Sequence, residues 1–362
     1  MKNRKVEEKE VFILEGKMKA ALLYGPRDLR VEEIDIPRIS DDQVLIKIMA
    51  CGICPTDVRV YTGDRHIIVP GPRVMGHEWV GEIVEVGKNI KNFKVGDRVA
   101  VNGKIPCGRC YYCINGLDRM CPDLFNIGRA SVTPGMAEFG KASERAIFPI
   151  PENVSYIEAS FAEPLSCCIN AVQNCNVKFG DDVLIIGAGP MGLILMQLCK
   201  IQGARIIVSE TIEERLKKAK ELGSDDIINP KEVDFVKTIK DLTGGRGPDV
   251  VIVSIGNPMA EMQALEVVRK NGVVCFFGGT WPEVKLEINP NFIHYNEIKL
   301  TGASNYNYSV FPRSLKLMAS KLIKLETLVS HILPLERAKE GFELVEKRIG
   351  LKVIVSPSEK YK

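Results

Sequence analysis

Residues 183–192 read Val-Leu-Ile-Ile-Gly-Ala-Gly-Pro-Met-Gly. The first four are β-formers with no polar interruption, the pattern of a short strand buried on both faces of a parallel sheet. Three glycines follow at once with G-x-G-x-x-G spacing. Gly187 permits a tight turn, Gly189 lets backbone approach a pyrophosphate, and Gly192 lets the next helix pack against the strand. That helix, expected over 190–202, turns its free N–H groups and dipole toward the phosphates. Glu210 ends the next apolar strand, eighteen residues after Gly192. A carboxylate there accepts hydrogen bonds from both hydroxyls of an adenosine ribose and repels a 2′-phosphate, so NAD is expected rather than NADP. Pro190, Met191 and Arg215 complete the expected cofactor-binding set.

Around this unit strand and helix alternate. Strands are expected at 183–186, 205–208, 226–228, 250–253, 273–277 and 298–301, and helices at 190–202, 213–222, 232–242 and 258–270. This is the pattern of a doubly wound parallel sheet. Residues 18–104 have a different texture, with short apolar runs at 44–50, 79–86 and 95–101 separated by glycine turns, which reads as β-rich and barrel-like. A further β stretch is expected over 137–150. After Gly302 come helices near 311–323 and 335–347 and a last strand at 352–355, expected to return to the first domain. The chain is therefore α/β, divided at 1–165, 166–303 and 304–362. The residues before Met18 read as an extension.

Four of the eleven cysteines lie at Cys107-x-x-Cys110-x-x-Cys113-x7-Cys121. Four thiolates so close close a tetrahedral Zn–S4 site, structural because no ligand position stays open; an iron–sulfur cluster is the other metal reading. This lobe covers 105–125. Thiol-rich sequence with a charged N-terminus lacking an apolar run points to a reducing cytoplasm rather than secretion. No apolar stretch reaches the ~20 residues of a membrane span. A net charge of +3 spread without a basic tract does not imply nucleic acid.

A second constellation is dispersed: Cys54, Thr56 and Asp57 in Cys51-Gly-Ile-Cys-Pro-Thr-Asp, His77 and Glu78 in Gly-His-Glu, and Glu163 in Phe-Ala-Glu-Pro-Leu. One thiolate, one imidazole and one or two carboxylates make a mixed ligand set with room for water, which suits catalytic zinc. Asp57 is a natural partner for the second ring nitrogen of His77. Cys51-x-x-Cys54 also reads as a redox pair.

These motifs, with Val95-Gly-Asp-Arg-Val99 and the four-cysteine lobe, make the chain from Met18 to Val355 resemble the zinc-dependent medium-chain alcohol dehydrogenases, in the sorbitol, threonine and butanediol dehydrogenase branch. The resemblance implies a GroES-like catalytic domain plus a Rossmann domain. It assigns Cys54, His77, Glu78 and Glu163 to catalytic zinc, with Thr56 and Asp57 as catalytic support and Cys51 as packing. Glu163 stands where the primary-alcohol enzymes carry a second cysteine, and Cys167 and Cys168 are nearby competitors. The implied reaction is hydride transfer between NAD and a secondary alcohol, a polyol or diol. An L-threonine-type amino-alcohol dehydrogenase and a silent zinc- and NAD-binding protein of the same fold are the alternatives.

The family commonly ends its proton relay at a histidine five positions after the ligand cysteine, which here is Arg59; a guanidinium does not titrate near pH 7. His66 or water then ends the relay, and Arg59 meets cofactor phosphates or solvent. Asn305 and Tyr306 stand where sorbitol dehydrogenases carry Arg-Tyr against the substrate, with Ser304, Asn307 and Tyr308 extending a polar wall. The branch implies a homotetramer or homodimer.

The Glu210 reading makes a direct prediction. Replacing Glu210 by Ala lowers the NAD-to-NADP ratio of kcat/KM by about tenfold or more, as expected when a like-charge contact worth on the order of 1.4 kcal/mol is removed. An unchanged ratio would remove Glu210 from the ribose site.

Overall fold

The computed structural model describes residues 15–65 and 71–357. His66 and most of the N-terminal extension lie outside the described residues. The β-rich half contains β1 (Lys17–Gly25), β2 (Asp28–Asp35), β3 (Gln43–Gly52), β4 (Arg73–Val74), β5 (Glu78–Val86), β6 (Arg98–Val101), β7 (Phe139–Ser143) and β8 (Ile147–Pro149). The run expected over 137–150 is two strands because its halves have different neighbours: β7 pairs with β3 and β8 with β6. The strand expected from residue 95 begins at Arg98, since Gly96 takes a φ of +91° and turns the chain first.

The second half follows the expected alternation. Its strands are β9 (Asp182–Ile186), β10 (Arg205–Ser209), β11 (Asp226–Ile228), β12 (Val250–Val253), β13 (Val273–Phe276) and β14 (Lys299–Gly302). They form one sheet in the order β11-β10-β9-β12-β13-β14, every pair parallel. This is the doubly wound Rossmann order, whose halves diverge between β9 and β12. Every residue of β9 and β12 is buried, as expected of apolar runs covered by helices on both faces. The helix expected from 232 starts at Phe235, where Asp234 caps it by accepting the Lys237 N–H at 3.1 Å.

The tail then leaves this sheet. β15 (Val329–Pro334) and β16 (Lys352–Ser356) join the first half in the order β15-β16-β3-β5-β6-β8, with Ile354 opposite Gly52. Between the halves lies the helix Ala162–Cys175, whose apolar side enters one continuous core containing Ala50 and Val80 from the β-rich half and Val183, Leu193 and Phe311 from the other.

The close packing at the glycine turn is testable. A Cβ on Gly192 would overlap the Gly187 carbonyl oxygen and sit 2.8 Å from Ser254 Oγ. Gly192→Ala is expected to lower stability by ~1–3 kcal/mol in urea unfolding and to weaken NADH binding in the same protein.

Candidate active site and metal centres

The register of β3 on β5 sets Gly52 opposite Glu78. Cys54, two residues past β3, therefore lies beside Glu78, which opens β5, and His77 just before it. Gly52 has to be glycine, because a Cβ would collide with the Glu78 carboxylate and come within 2.8 Å of Lys352 Cε. Cys54 is the N-cap of the helix Pro55–Thr62, and its sulfur accepts the Thr56 N–H at 3.5 Å. Asp57, on the first turn, has Oδ1 3.1 Å from His77 Nδ1. The carboxylate fixes the proton on Nδ1 and leaves Nε2 with its lone pair free to bind a metal. One ligand atom each from Cys54, His77 and Glu78 lies within 4.8 Å of the others. The donor set fits a zinc ion with an open position.

Two lysines absent from the sequence reading complete this site. Glu78 is ion-paired with Lys352, at the start of β16, whose ammonium also donates to the Ile53 carbonyl at 3.2 Å. Glu163, on the first turn of the helix Ala162–Cys175, is ion-paired with Lys104. All four side chains are buried, with exposures from 2% to 12%. Their fields differ. Burial raises the Glu78 carboxyl despite Lys352. Burial alone would raise Glu163 too, but Lys104 and then His77 hold it down at about 2. A lysine within an apolar stretch gives no signal of this role, since its partner is set by tertiary pairing alone.

Glu163 is outside the Cys54–His77–Glu78 group and faces Lys104. Cys167 donates to Glu163 Oε1 at 3.6 Å, and Cys168 turns away to the Met191 carbonyl at 3.7 Å; neither joins a metal group among the described residues. Cys51 is buried and donates to the Gly52 carbonyl, with burial pushing its thiol well up, which is packing rather than redox pairing.

Tyr306 is buried against this cluster, its hydroxyl 3.1 Å from Asn102 Oδ1 and its ring 4.5 Å from the Lys104 ammonium. Asn305 takes a left-handed φ of +56° that turns the chain beside it. The polar wall expected to extend through Asn307 and Tyr308 is not formed, because both side chains are spent on other segments. Asn307 binds Arg119 and the Gly116 carbonyl, and Tyr308 donates to the Arg145 carbonyl. Asn307 fastens the tail to the cysteine lobe, and Tyr308 fastens it to the turn between β7 and β8.

In that lobe Cys107, Cys110, Cys113 and Cys121 converge. Cys110 and Cys113 sulfurs are 3.4 Å apart, and Cys107 and Cys113 sulfurs 3.9 Å. The edge of a tetrahedron with 2.3 Å Zn–S bonds is about 3.8 Å, so the cage fits zinc.

The glycine turn is also built for its ligand. Gly187 has a φ of +99°, and Gly189 has open space on its Cβ side, with only the Arg215 guanidinium at 3.6 Å. Pro190 opens the helix Pro190–Ile201, and Met191 packs on the core beside it. Glu210 is aimed at the turn by the N–H groups of Ala188, Thr211 and Ile212 at 2.9, 2.6 and 3.2 Å. Arg215 also donates to the carbonyls of Arg348 and Gly350, both at 3.0 Å. Arg59 reaches the Gly279 carbonyl at 2.8 Å, so it ties the Cys54 helix to the loop beyond β13.

Two family profiles match the chain: "Alcohol dehydrogenase GroES-like domain" over residues 40–152 and "Zinc-binding dehydrogenase" over 190–320. Sorbitol dehydrogenase of Bacillus subtilis (strain 168) is 36% identical over 346 residues, spanning 94% of this chain and 98% of that protein. The solved structure of 2R,3R-butanediol dehydrogenase from Bacillus subtilis matches at 32% identity with a TM-score of 0.86, over 94% of this chain and 100% of that one. A short chain alcohol dehydrogenase from Escherichia coli CFT073, complexed with cofactor NADH, matches at 28% identity and a TM-score of 0.84, over 94% and 99%.

The Glu78–Lys352 pair gives a prediction that separates metal from scaffold. Lys352→Met leaves a buried carboxylate without its partner, which costs ~3–5 kcal/mol in urea unfolding of metal-stripped protein. The loss is expected to shrink when zinc is restored, because the ion then satisfies Glu78. Equal losses in both states would take Glu78 out of the metal site.

Proposed function

Because this chain belongs to the zinc-binding alcohol dehydrogenase family, we propose that it is a zinc-dependent oxidoreductase moving hydride between NAD and a secondary alcohol or ketone, with a polyol or diol as substrate. The observation that carries this reading is the convergence of Cys54, His77 and Glu78 beside Glu163, on the β-rich half. A zinc ion held by the first three supplies Lewis-acid polarisation of the substrate oxygen.

The chain's own residues do the rest. Asp57 orients His77. Glu163, kept ionised by Lys104, accepts a hydrogen bond from substrate. The Thr56 hydroxyl begins the proton's exit. Tyr306 closes the pocket, and Asn305 shapes its rim. Gly187, Gly189, Pro190, Met191, Gly192, Glu210 and Arg215 hold NAD. The likeness to sorbitol and butanediol dehydrogenases supports the substrate class.

The reading extends to a second, structural zinc on Cys107, Cys110, Cys113 and Cys121, and to the division of the chain near residues 165 and 303. It includes a homotetramer or homodimer, supported by the exposed Tyr111 and Ile114 of the cysteine lobe, 71% and 70% accessible, and by Leu300 on the edge strand β14. A cytoplasmic setting is supported by eleven free thiols. No helix of the described residues is long and apolar enough to cross a membrane.

The test is NAD-coupled oxidation of sorbitol, xylitol, myo-inositol, 2,3-butanediol, L-threonine, 2-propanol and ethanol, with zinc counted by mass spectrometry. Wild type is expected to hold two zinc ions per chain and to oxidise at least one polyol or diol. Cys54→Ser is expected to keep one zinc and lose turnover, and Cys110→Ser to lose the other zinc. Turnover on threonine alone, or none with zinc and NADH bound, would overturn the polyol reading.

A further inference from the structure

Lys104 stands in the segment that leads from β6 to the cysteine lobe. Its ammonium has three N–H donors. Among the described residues one is taken by Glu163 Oε1, and the face of Tyr306 lies 4.5 Å away. The remaining donors have no hydrogen-bond acceptor there, although the side chain is only 12% exposed. A buried ammonium with spare donors is costly unless something polar meets them.

Asn102 adds an independent observation. It is fully buried. Its Oδ1 accepts the Lys104 backbone N–H at 2.9 Å and lies 3.1 Å from the Tyr306 hydroxyl. An amide N–H can only donate, so this bond fixes which end of the carboxamide is oxygen. Asn102 Nδ2 is then left with no partner. Two donor groups, the Lys104 ammonium and the Asn102 amide, thus keep N–H bonds without acceptors in one niche, which Tyr306 and Glu163 complete. The niche adjoins the metal-ligating group, close enough for the fields of Cys54 and His77 to reach Lys104 and Glu163.

We propose that Lys104 is a specificity-determining residue whose ammonium receives the oxygen of a hydroxyl on the carbon next to the one oxidised, so that the site selects vicinal diols and polyols over monohydric alcohols. This rests on the polyol reading above and names the group that enforces it. Glu163 accepts that hydroxyl's proton side as a hydrogen bond while Lys104 donates to its oxygen, a pairing that a hydroxyl can satisfy in both directions and a methyl group cannot. An analogue lacking the hydroxyl leaves buried polar groups unmatched, which discriminates more strongly than a missing apolar contact.

The experiment compares full-length, zinc-loaded wild type with Lys104→Gln and Lys104→Arg. It measures kcat and KM for 2,3-butanediol, xylitol and 2-butanol, zinc content, and calorimetric binding of xylitol to the enzyme–NADH complex. Lys104→Gln is expected to lower kcat/KM for the diol and polyol by about tenfold to a hundredfold, the worth of a hydrogen bond to a charged group. The loss falls mainly on KM, is matched in xylitol binding, and exceeds any loss on 2-butanol by about tenfold or more, while zinc content holds. Lys104→Arg keeps the charge and is expected to recover part of the diol preference, and it carries the comparison if Lys104→Gln does not fold. Equal losses on all three alcohols, or loss of zinc, would make Lys104 a structural counterion and overturn the proposal alone. Wild type inactive on diol and polyol but active on 2-butanol would overturn the polyol reading and this proposal together.

Discussion

Two carboxylates are buried beside the Cys54–His77 pair, and each is neutralised by a lysine from a remote part of the chain. Glu78 meets Lys352 across 274 positions, and Glu163 meets Lys104 across 59. Such pairs add little net stability against an apolar alternative, yet breaking one leaves an uncompensated charge in the interior. They therefore act as a condition on assembly. The site is electrostatically complete only when β16 has docked on β3 and the segment after β6 has come under Tyr306. The return of the tail to the first half is the step that neutralises Glu78.

The same docking explains the distribution of small residues. Gly52 leaves the space in which the Glu78 carboxylate and the Lys352 stem meet. Asn307 pins the tail to the cysteine lobe and Tyr308 pins it to the turn between β7 and β8, which sets Tyr306 over Lys104. On the other half, Glu210 is oriented by three backbone N–H groups and points at the glycine turn. Both halves present their polar groups on fixed elements, Cys54, His77 and Glu78 at the ends of strands and a helix, Glu210 beside the β9 turn. Arg59 and Arg215 then span between segments with hydrogen bonds to carbonyls, a use of guanidinium as a strap.

Local chemistry wrote the most legible features. The β9 strand and its glycines, the Glu210 position and the four cysteines each depend on neighbours within a few to about twenty residues, so spacing alone exposes them. Strand ends were less legible. The 137–150 run had to divide because two different neighbours claim its halves, and no local pattern records that. The polar run after Gly302 reads as one wall, but Tyr306 faces the site, Asn307 faces the lobe and Tyr308 faces the turn between β7 and β8.

The sequence by itself determined the parallel sheet, the nucleotide turn, the thiolate cage and the identity of the dispersed Cys, His and Glu donors, because each is a matter of residue type at short spacing or of motifs with few other uses. Tertiary structure alone decided which donors converge. It set Glu163 against Lys104 rather than within the Cys54–His77–Glu78 group, and it brought Lys352 to Glu78. A lysine carries no mark of its future partner. Its role follows from strand register and chain return, which are settled by the packing of whole layers rather than by any residue's immediate neighbours.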